Sequence, residues 1–239
     1  MRKVIRWILA AFAVAGAAVL MAQEVPSSDR SREAVERTSR KLAPLLSREG
    51  LQLGAPVFLR IFKEEGILEV WLQKRGKFKL FKSYPICYFS GNLGPKLREG
   101  DGQSPEGFYS VPPAALNPNS RFHLAFNLGY PNAFDRAHDR TGSFLMVHGD
   151  CVSIGCYAMT DPGIEEIYTL VEAALRNGQE SFQVHSFPFR MTKKNLARHR
   201  SSEWWDFWSN LQEGYDLFEK ERVPPVVRVQ DRRYVFNPA

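Results

Sequence analysis

From Val57 onward, apolar and polar residues alternate with a period of two. Residues 57–63 and 67–73 read as strands, with Glu64-Glu65-Gly66 as the turn between them. Lys74-Arg75-Gly76 turns the chain again into Lys77-Phe78-Lys79-Leu80-Phe81-Lys82. Such alternation places Phe78 and Leu80 on one face of a half-buried antiparallel sheet and the lysines on the other. Residues 91–107 mix Gly, Pro and charge, which predicts a long loop. Further strands are expected at 108–111, 122–128, 143–148 and 181–187.

Helical spacing appears in three places. Residues 29–48 form a short amphipathic helix with Leu42, Leu45 and Leu46 on its apolar side, a lead-in or spacer. After 160, Asp161 suits an N-cap, Pro162 suits the first turn, and Glu165 and Glu166 complement the helix dipole. Ile164, Ile167, Val171, Ala174 and Leu175 recur on one face, and Gly178 suits the stop. Near the C-terminus, Trp204, Trp208, Leu211, Tyr215 and Phe218 make a packing stripe. Pro224-Pro225 ends that helix, and a last strand is expected at Tyr234 to Phe236. The sum is a mainly β, α+β protein.

The first residues carry a different signal. Arg2, Lys3 and Arg6 precede an apolar run from Trp7 to Ala22, and the chain then turns polar. This pattern predicts a signal peptide or membrane anchor over residues 1–22. Ala22 suits a cleavage site, whereas Leu20 is bulky for one. The formal net charge of +6 falls to 6 − 3 = +3 without those three cations. With no long block of like charge, nucleic-acid binding has no support. The three cysteines are Cys87, Cys151 and Cys156, and an odd count in an exported protein points to one reactive thiol.

Candidate chemistry sits in residues 144–159. An apolar strand delivers His148, and Gly149 lets the backbone turn. A loop containing Gly155 then presents Cys156 just ahead of the helix. Cysteine catalysis needs a thiolate, a base within reach, and amide donors for a developing oxyanion. On these residues alone, a core histidine and a buried structural thiol fit equally well. A metal site of His148, Asp150, Cys151 and Cys156 matches no zinc spacing.

His148-Gly149 followed by Ser153-Ile154-Gly155-Cys156 resembles the signature of the YkuD-type L,D-transpeptidase family. Ser104-Pro105-Glu106-Gly107-Phe108-Tyr109 is similar to that family's second, upstream motif. The YafK-like branch is closest, through residues 126–132, Asp135-Arg136, His148-Gly149-Asp150-Cys151, residues 155–159, Pro188-Phe189-Arg190-Met191 and the Trp-rich helix. The chain departs from the family in three ways. Its loop between His148 and Cys156 is shortened, Ile154 stands where His is common, and Ala158 stands where an Arg usually follows the nucleophile.

The resemblance implies a YkuD-like β-sandwich or barrel core with flanking helices. The expected layout is a helical lead-in over 23–54, a catalytic domain over 55–190 and a C-terminal helical extension over 191–239. Cys156 is then the nucleophile and His148 the base, its other ring nitrogen held by an acceptor such as a backbone carbonyl. Gly155 and Cys156 amides are the oxyanion donors, with Ser153 and Gly149 shaping the loop. Arg190, Arg136 and Tyr157 are candidate substrate-binding residues, with Arg140 a rival. Cys151 is expected to be a packed thiol, with pairing to Cys87 as the lesser alternative.

No cofactor or metal is expected. The implied partners are peptidoglycan stem peptides and a peptidoglycan-bound lipoprotein, in the periplasm or envelope of a Gram-negative-type bacterium. The membrane enters only through the N-terminal anchor. The implied reaction is acyl transfer at the L-centre of diaminopimelate, with hydrolytic release of such a lipoprotein as the alternative. A non-catalytic envelope-binding module is the rival from another class.

Overall fold

The structure, a computed structural model, describes residues 24–239. The signal peptide or anchor expected over 1–22 lies outside them. No helix among the described residues is long and apolar enough to cross a membrane.

One five-stranded sheet is built from β1 (Val57–Phe62), β2 (Ile67–Lys74), β3 (Lys77–Pro85), β5 (Gly107–Val111) and β10 (Phe182–Phe187), in the order β3-β2-β1-β10-β5. β1 runs parallel to β10, and the other pairs are antiparallel. β1 is buried on both faces. Val57, Leu59 and Ile61 enter the main core, while Phe58, Arg60 and Phe62 point to the opposite layer. That layer is α5 (Trp205–Glu221), whose Trp208, Leu211, Tyr215 and Phe218 fill the predicted stripe. Arg60 is buried there, bonded to Glu69 at 2.9 Å and Glu219 at 2.6 Å, with its guanidinium 4.8 Å from the Phe218 ring centre. A buried charge is tolerable only when it is paired in this way.

The second sheet places the candidate chemistry. Its order is β4 (Tyr88–Phe89), β9 (Tyr157–Ala158), β8 (Met146–His148), β7 (Ala125–Asn127), β6 (Leu116–Asn117). β8 and β9 are parallel, with Val147 opposite Tyr157 and His148 opposite Ala158. The α+β expectation therefore holds, and both sheets stay open rather than closing into a barrel. The remaining elements are α1 (Asp29–Glu49), α2 (Ala133–Ala137), α3 (Asp161–Arg176), α4 (Lys193–Arg198) and the hairpin β11 (Val226–Gln230) with β12 (Arg233–Asn237).

Four local expectations are corrected. Leu80 keeps the register of Phe78, opposite Trp71, but is exposed on the edge strand β3, and Phe81 packs inward as the extra residue of a bulge opposite Val70 and Trp71. Leu45 is exposed, since the inward stripe of α1 runs through Ala34, Thr38, Leu42 and Leu46. That stripe joins the main core and Arg37 pairs with Glu165 at 2.7 Å, so α1 is packed into the body and is no spacer. The N-cap of α3 is Thr160, which accepts from Gly163 N–H.

Candidate active site

The strand β8 ends at His148 because Gly149 brings the chain hard against α3. A Cβ at Gly149 would lie 2.5 Å from Asp161 Oδ1 and 3.1 Å from Ile164 Cγ2. The left-handed turn itself falls on Asp150, with φ 56°, not on Gly149 as expected. Asp150 N–H donates to Asp161 Oδ1 at 2.9 Å, which explains why Asp161 does not cap its own helix.

His148 is almost fully buried and stacks on Phe122 at 4.7 Å. Its Nδ1 lies 2.5 Å from the Gly149 carbonyl oxygen. A carbonyl can only accept, so Nδ1 carries the proton and Nε2 keeps its lone pair. Burial pushes the His148 pKa below its ordinary value, and the bond to Gly149 opposes that shift. The imidazole is therefore neutral at pH 7.

Cys156 is the free cysteine, and its sulfur is partly accessible. Cys87 and Cys151 form a disulfide, which corrects the expectation of a packed Cys151 thiol. The bridge fastens the loop between His148 and Cys156 to the chain entering edge strand β4. Cys87 N–H also donates to Ala158 O at 2.8 Å. This loop is otherwise open to solvent: Ile154 is 91% exposed and Val152 is exposed.

The sulfur accepts the Met146 N–H at 3.3 Å and faces Phe144 O at 3.6 Å. Among the described residues no hydrogen bond joins it to the imidazole. The parallel pairing of β8 and β9 sets His148 opposite Ala158, two residues beyond Cys156. Burial raises the thiol pKa, while the Met146 N–H and the charge of Lys96 pull it down. The pair at rest is thus a thiol and a neutral imidazole.

Gly155 has φ 148°, a region that L side chains rarely adopt, and a Cβ there would lie 3.0 Å from Leu145 Cδ1. Its N–H donates to Ser153 Oγ at 3.1 Å, so it is not free for an oxyanion as expected. Ser153 Oγ in turn donates to Cys156 O at 2.7 Å.

The three candidate substrate residues lie elsewhere in the hydrogen-bond network. Tyr157 is fully buried, with its hydroxyl bonded to Pro105 O at 2.7 Å and to Ser186 Oγ at 2.8 Å; it braces the fold rather than facing substrate. Arg190 is committed to Glu69 at 2.5 Å on the first sheet. Arg136 donates to the Pro131 carbonyl, and Arg140 is buried against Asp135 at 2.9 Å.

The upstream motif, in contrast, reaches the site. Ser104 Oγ donates to Cys156 O at 3.0 Å, and Glu106 is buried, accepting from Lys63, Gly94 N–H and Trp208. Phe122, Met146 and Lys96 were not singled out from sequence. Two of them act through a main-chain N–H or a through-space charge, which residue type does not reveal.

Fold and site together define an α+β protein with one free thiol just ahead of β9 and a buried, carbonyl-fixed imidazole on the parallel neighbouring strand β8. No family model matches the chain. It is 54% identical over 185 residues to a protein of Escherichia coli K12 named "Putative L,D-transpeptidase YafK", covering 77% of this chain and 75% of that one. The same protein from Escherichia coli O157:H7 gives the same figures. Among solved structures, the helical cell shape determining protein Pgp2 of Campylobacter jejuni aligns with TM-score 0.45 and 18% identity, covering 78% of this chain and 79% of Pgp2. Bd1075 of Bdellovibrio bacteriovorus aligns with TM-score 0.42 and 17% identity, over 76% and 84%. The chain belongs to the L,D-transpeptidase family, in the branch typified by YafK.

Proposed function

We propose that the protein is a cysteine acyl-transfer enzyme of the cell envelope. Its substrate is a peptidoglycan stem peptide, attacked at the carbonyl of the L-centre of diaminopimelate. The observation that carries this reading is the state of the three cysteines. Two are consumed in a disulfide, and the third stands free just ahead of β9, the strand that runs parallel to β8 and its His148. The disulfide also suits export to an oxidising compartment.

The chemistry follows from the resting state. His148 Nε2 takes the Sγ proton as sulfur attacks the carbonyl, giving a tetrahedral intermediate. The imidazolium returns that proton to the departing amine of D-Ala, leaving a thioester. An amine acceptor, or water, then attacks the thioester and gives its proton to His148, and the thiol leaves reprotonated. An amine gives a cross-link or an attached protein, and water gives hydrolysis.

Hydrolytic release of a diaminopimelate-linked lipoprotein is the second reading, and Ala158 favours it. Ala158 is fully buried, between Tyr88 and His148 in register. The place two residues after the nucleophile therefore offers no cation to grip a substrate carboxylate.

One incubation separates these readings. Tetrapeptide muropeptides and muropeptides bearing a diaminopimelate-linked Lys tail are offered to wild type and Cys156→Ala. New 3–3 cross-links indicate transfer, and release of the tail without cross-links indicates the amidase. Cys156→Ala should lose activity by on the order of 10³-fold or more. Equal activity of the variant would remove Cys156 as the nucleophile, whereas no product and no carbapenem adduct on wild-type Cys156 by mass spectrometry would leave a non-catalytic envelope-binding module.

A further inference from the structure

Two hydroxyl groups converge on one oxygen next to the nucleophile. The Cys156 carbonyl accepts from Ser153 Oγ at 2.7 Å and from Ser104 Oγ at 3.0 Å. The two donors differ in what holds them. Ser153 belongs to the loop that carries Cys156, so its bond tightens the loop on itself without fixing it to the body. Ser104 comes from a separate segment and is fully buried.

Every polar atom of Ser104 is engaged. Its N–H donates to Ser90 O at 3.0 Å, its Oγ accepts from Ser90 N–H at 3.2 Å, and its carbonyl accepts from Lys63 Nζ at 3.1 Å. Its neighbour Pro105 accepts from the Tyr157 hydroxyl at 2.7 Å and from Ser186 Oγ at 3.0 Å. Consecutive residues 104 and 105 therefore grip the main-chain carbonyl of residue 156 and the side chain of residue 157.

We infer that Ser104 is a positioning residue for Cys156, fixing the nucleophile's own carbonyl from outside its loop. The inference deepens the acyl-transfer reading and rests on it. With the carbonyl held at a fixed point, the direction of the Cα–Cβ bond is set. The sulfur then stays on the Met146 N–H, a donor that favours its ionised form. Releasing the carbonyl lets the sulfur wander, and displacements of about 1 Å in a reacting group cost up to roughly 10²-fold in rate.

The test uses Ser104→Ala with Ser104→Thr and Ser104→Val, the last two nearly equal in volume and differing in the hydroxyl. Three quantities are read: kcat and KM on muropeptide, the pH dependence of Cys156 alkylation by iodoacetamide, and the melting temperature. Ser104→Ala and Ser104→Val should lower kcat by roughly 10- to 100-fold with KM within about twofold. Their alkylation profiles should move to higher pH, while Ser104→Thr stays near wild type in both. Should Ser104→Ala fail to fold, the Thr and Val pair still decides. Equal behaviour of Thr and Val, or a wild-type alkylation profile in a folded Ser104→Ala protein, overturns the inference. Alkylation needs no substrate. If wild type leaves muropeptides untouched, the acyl-transfer reading fails on that result, and the alkylation profiles still judge Ser104.

Discussion

The two loops that flank the sulfur are held by opposite means. The loop between β4 and β5 has no regular structure, yet its groups are wired inward. Lys63 Nζ is fully buried and reaches Asn92 O at 2.7 Å, Gly94 O at 3.0 Å, Ser104 O at 3.1 Å and Glu106 Oε1 at 3.1 Å. Asp101 accepts the N–H groups of Leu97, Arg98 and Gln103 and the ammonium of Lys96. The loop between β8 and β9 exposes its apolar side chains and is tied to the body by the disulfide, the Asp150 N–H on Asp161 and the Ser104 hydroxyl. The first loop acts as a fixed bed, and the second is the part presented to substrate. Burial of charge makes a loop rigid where repetition of pattern does not.

The largest effect should come from breaking the bed. Lys63→Met strands the Glu106 carboxylate, which keeps only Gly94 N–H and Trp208 Nε1 as donors. Removing one partner of a buried pair costs about 3–5 kcal/mol, roughly 10 °C in melting temperature for a chain of this size. Lys63→Met with Glu106→Gln should recover part of the loss. A single variant that melts within about 2 °C of wild type would mean the pair contributes nothing to the bed.

This contrast also explains what was legible in the sequence. Long strands β1, β2, β10 and helices α3 and α5 followed from period, because each buries a continuous face. Strands β4, β6 and β9 have two residues each and leave no period to read. His148 and Cys156 were readable because a motif states them. Ser104 and Glu106 stood in a recognised motif, but their partners lie far along the chain. Glu106 meets Trp208 and Lys63 only through the fold. Arg190 and Arg136 stand in segments that resemble the family and carry the right charge, but neither signal says that each side chain already has a partner in the fold.

A smaller effect is expected from the other loop. Cys87→Ser with Cys151→Ser removes a bridge spanning 64 residues, worth ~4 kcal/mol at most on chain entropy, and commonly 2–4 kcal/mol. Each cysteine is exposed, so no buried polar group is stranded and the folded state loses little else. Melting should fall by less than in Lys63→Met, and faster hydrogen exchange should appear first in residues 149–156. Equal exchange throughout the chain would mean that the bridge acts on the unfolded state alone. A larger fall than in Lys63→Met would reverse the ranking of the two loops.

The subtlest prediction concerns protons at the point where the loops meet. Burial lowers the His148 pKa and raises that of Cys156, so the neutral pair is favoured from both sides. A base with a lowered folded pKa binds fewer protons folded than unfolded. Stability from His148 is therefore complete above its unfolded value of about 6.5 and declines as pH falls toward the folded value. His185 is fully buried and shifted in the same direction, so it adds to this acid-side loss. Activity follows the same group for a different reason, since only the unprotonated imidazole can take the thiol proton. The acid limb of kcat/KM should thus lie below pH ~6.5, and His148→Gln should abolish turnover altogether. An acid limb above that pH would mean that the bond from Nδ1 to the Gly149 carbonyl outweighs burial and holds the imidazolium. The packing of His148 on Phe122, rather than the sulfur's contact with Met146, would then have to be redrawn.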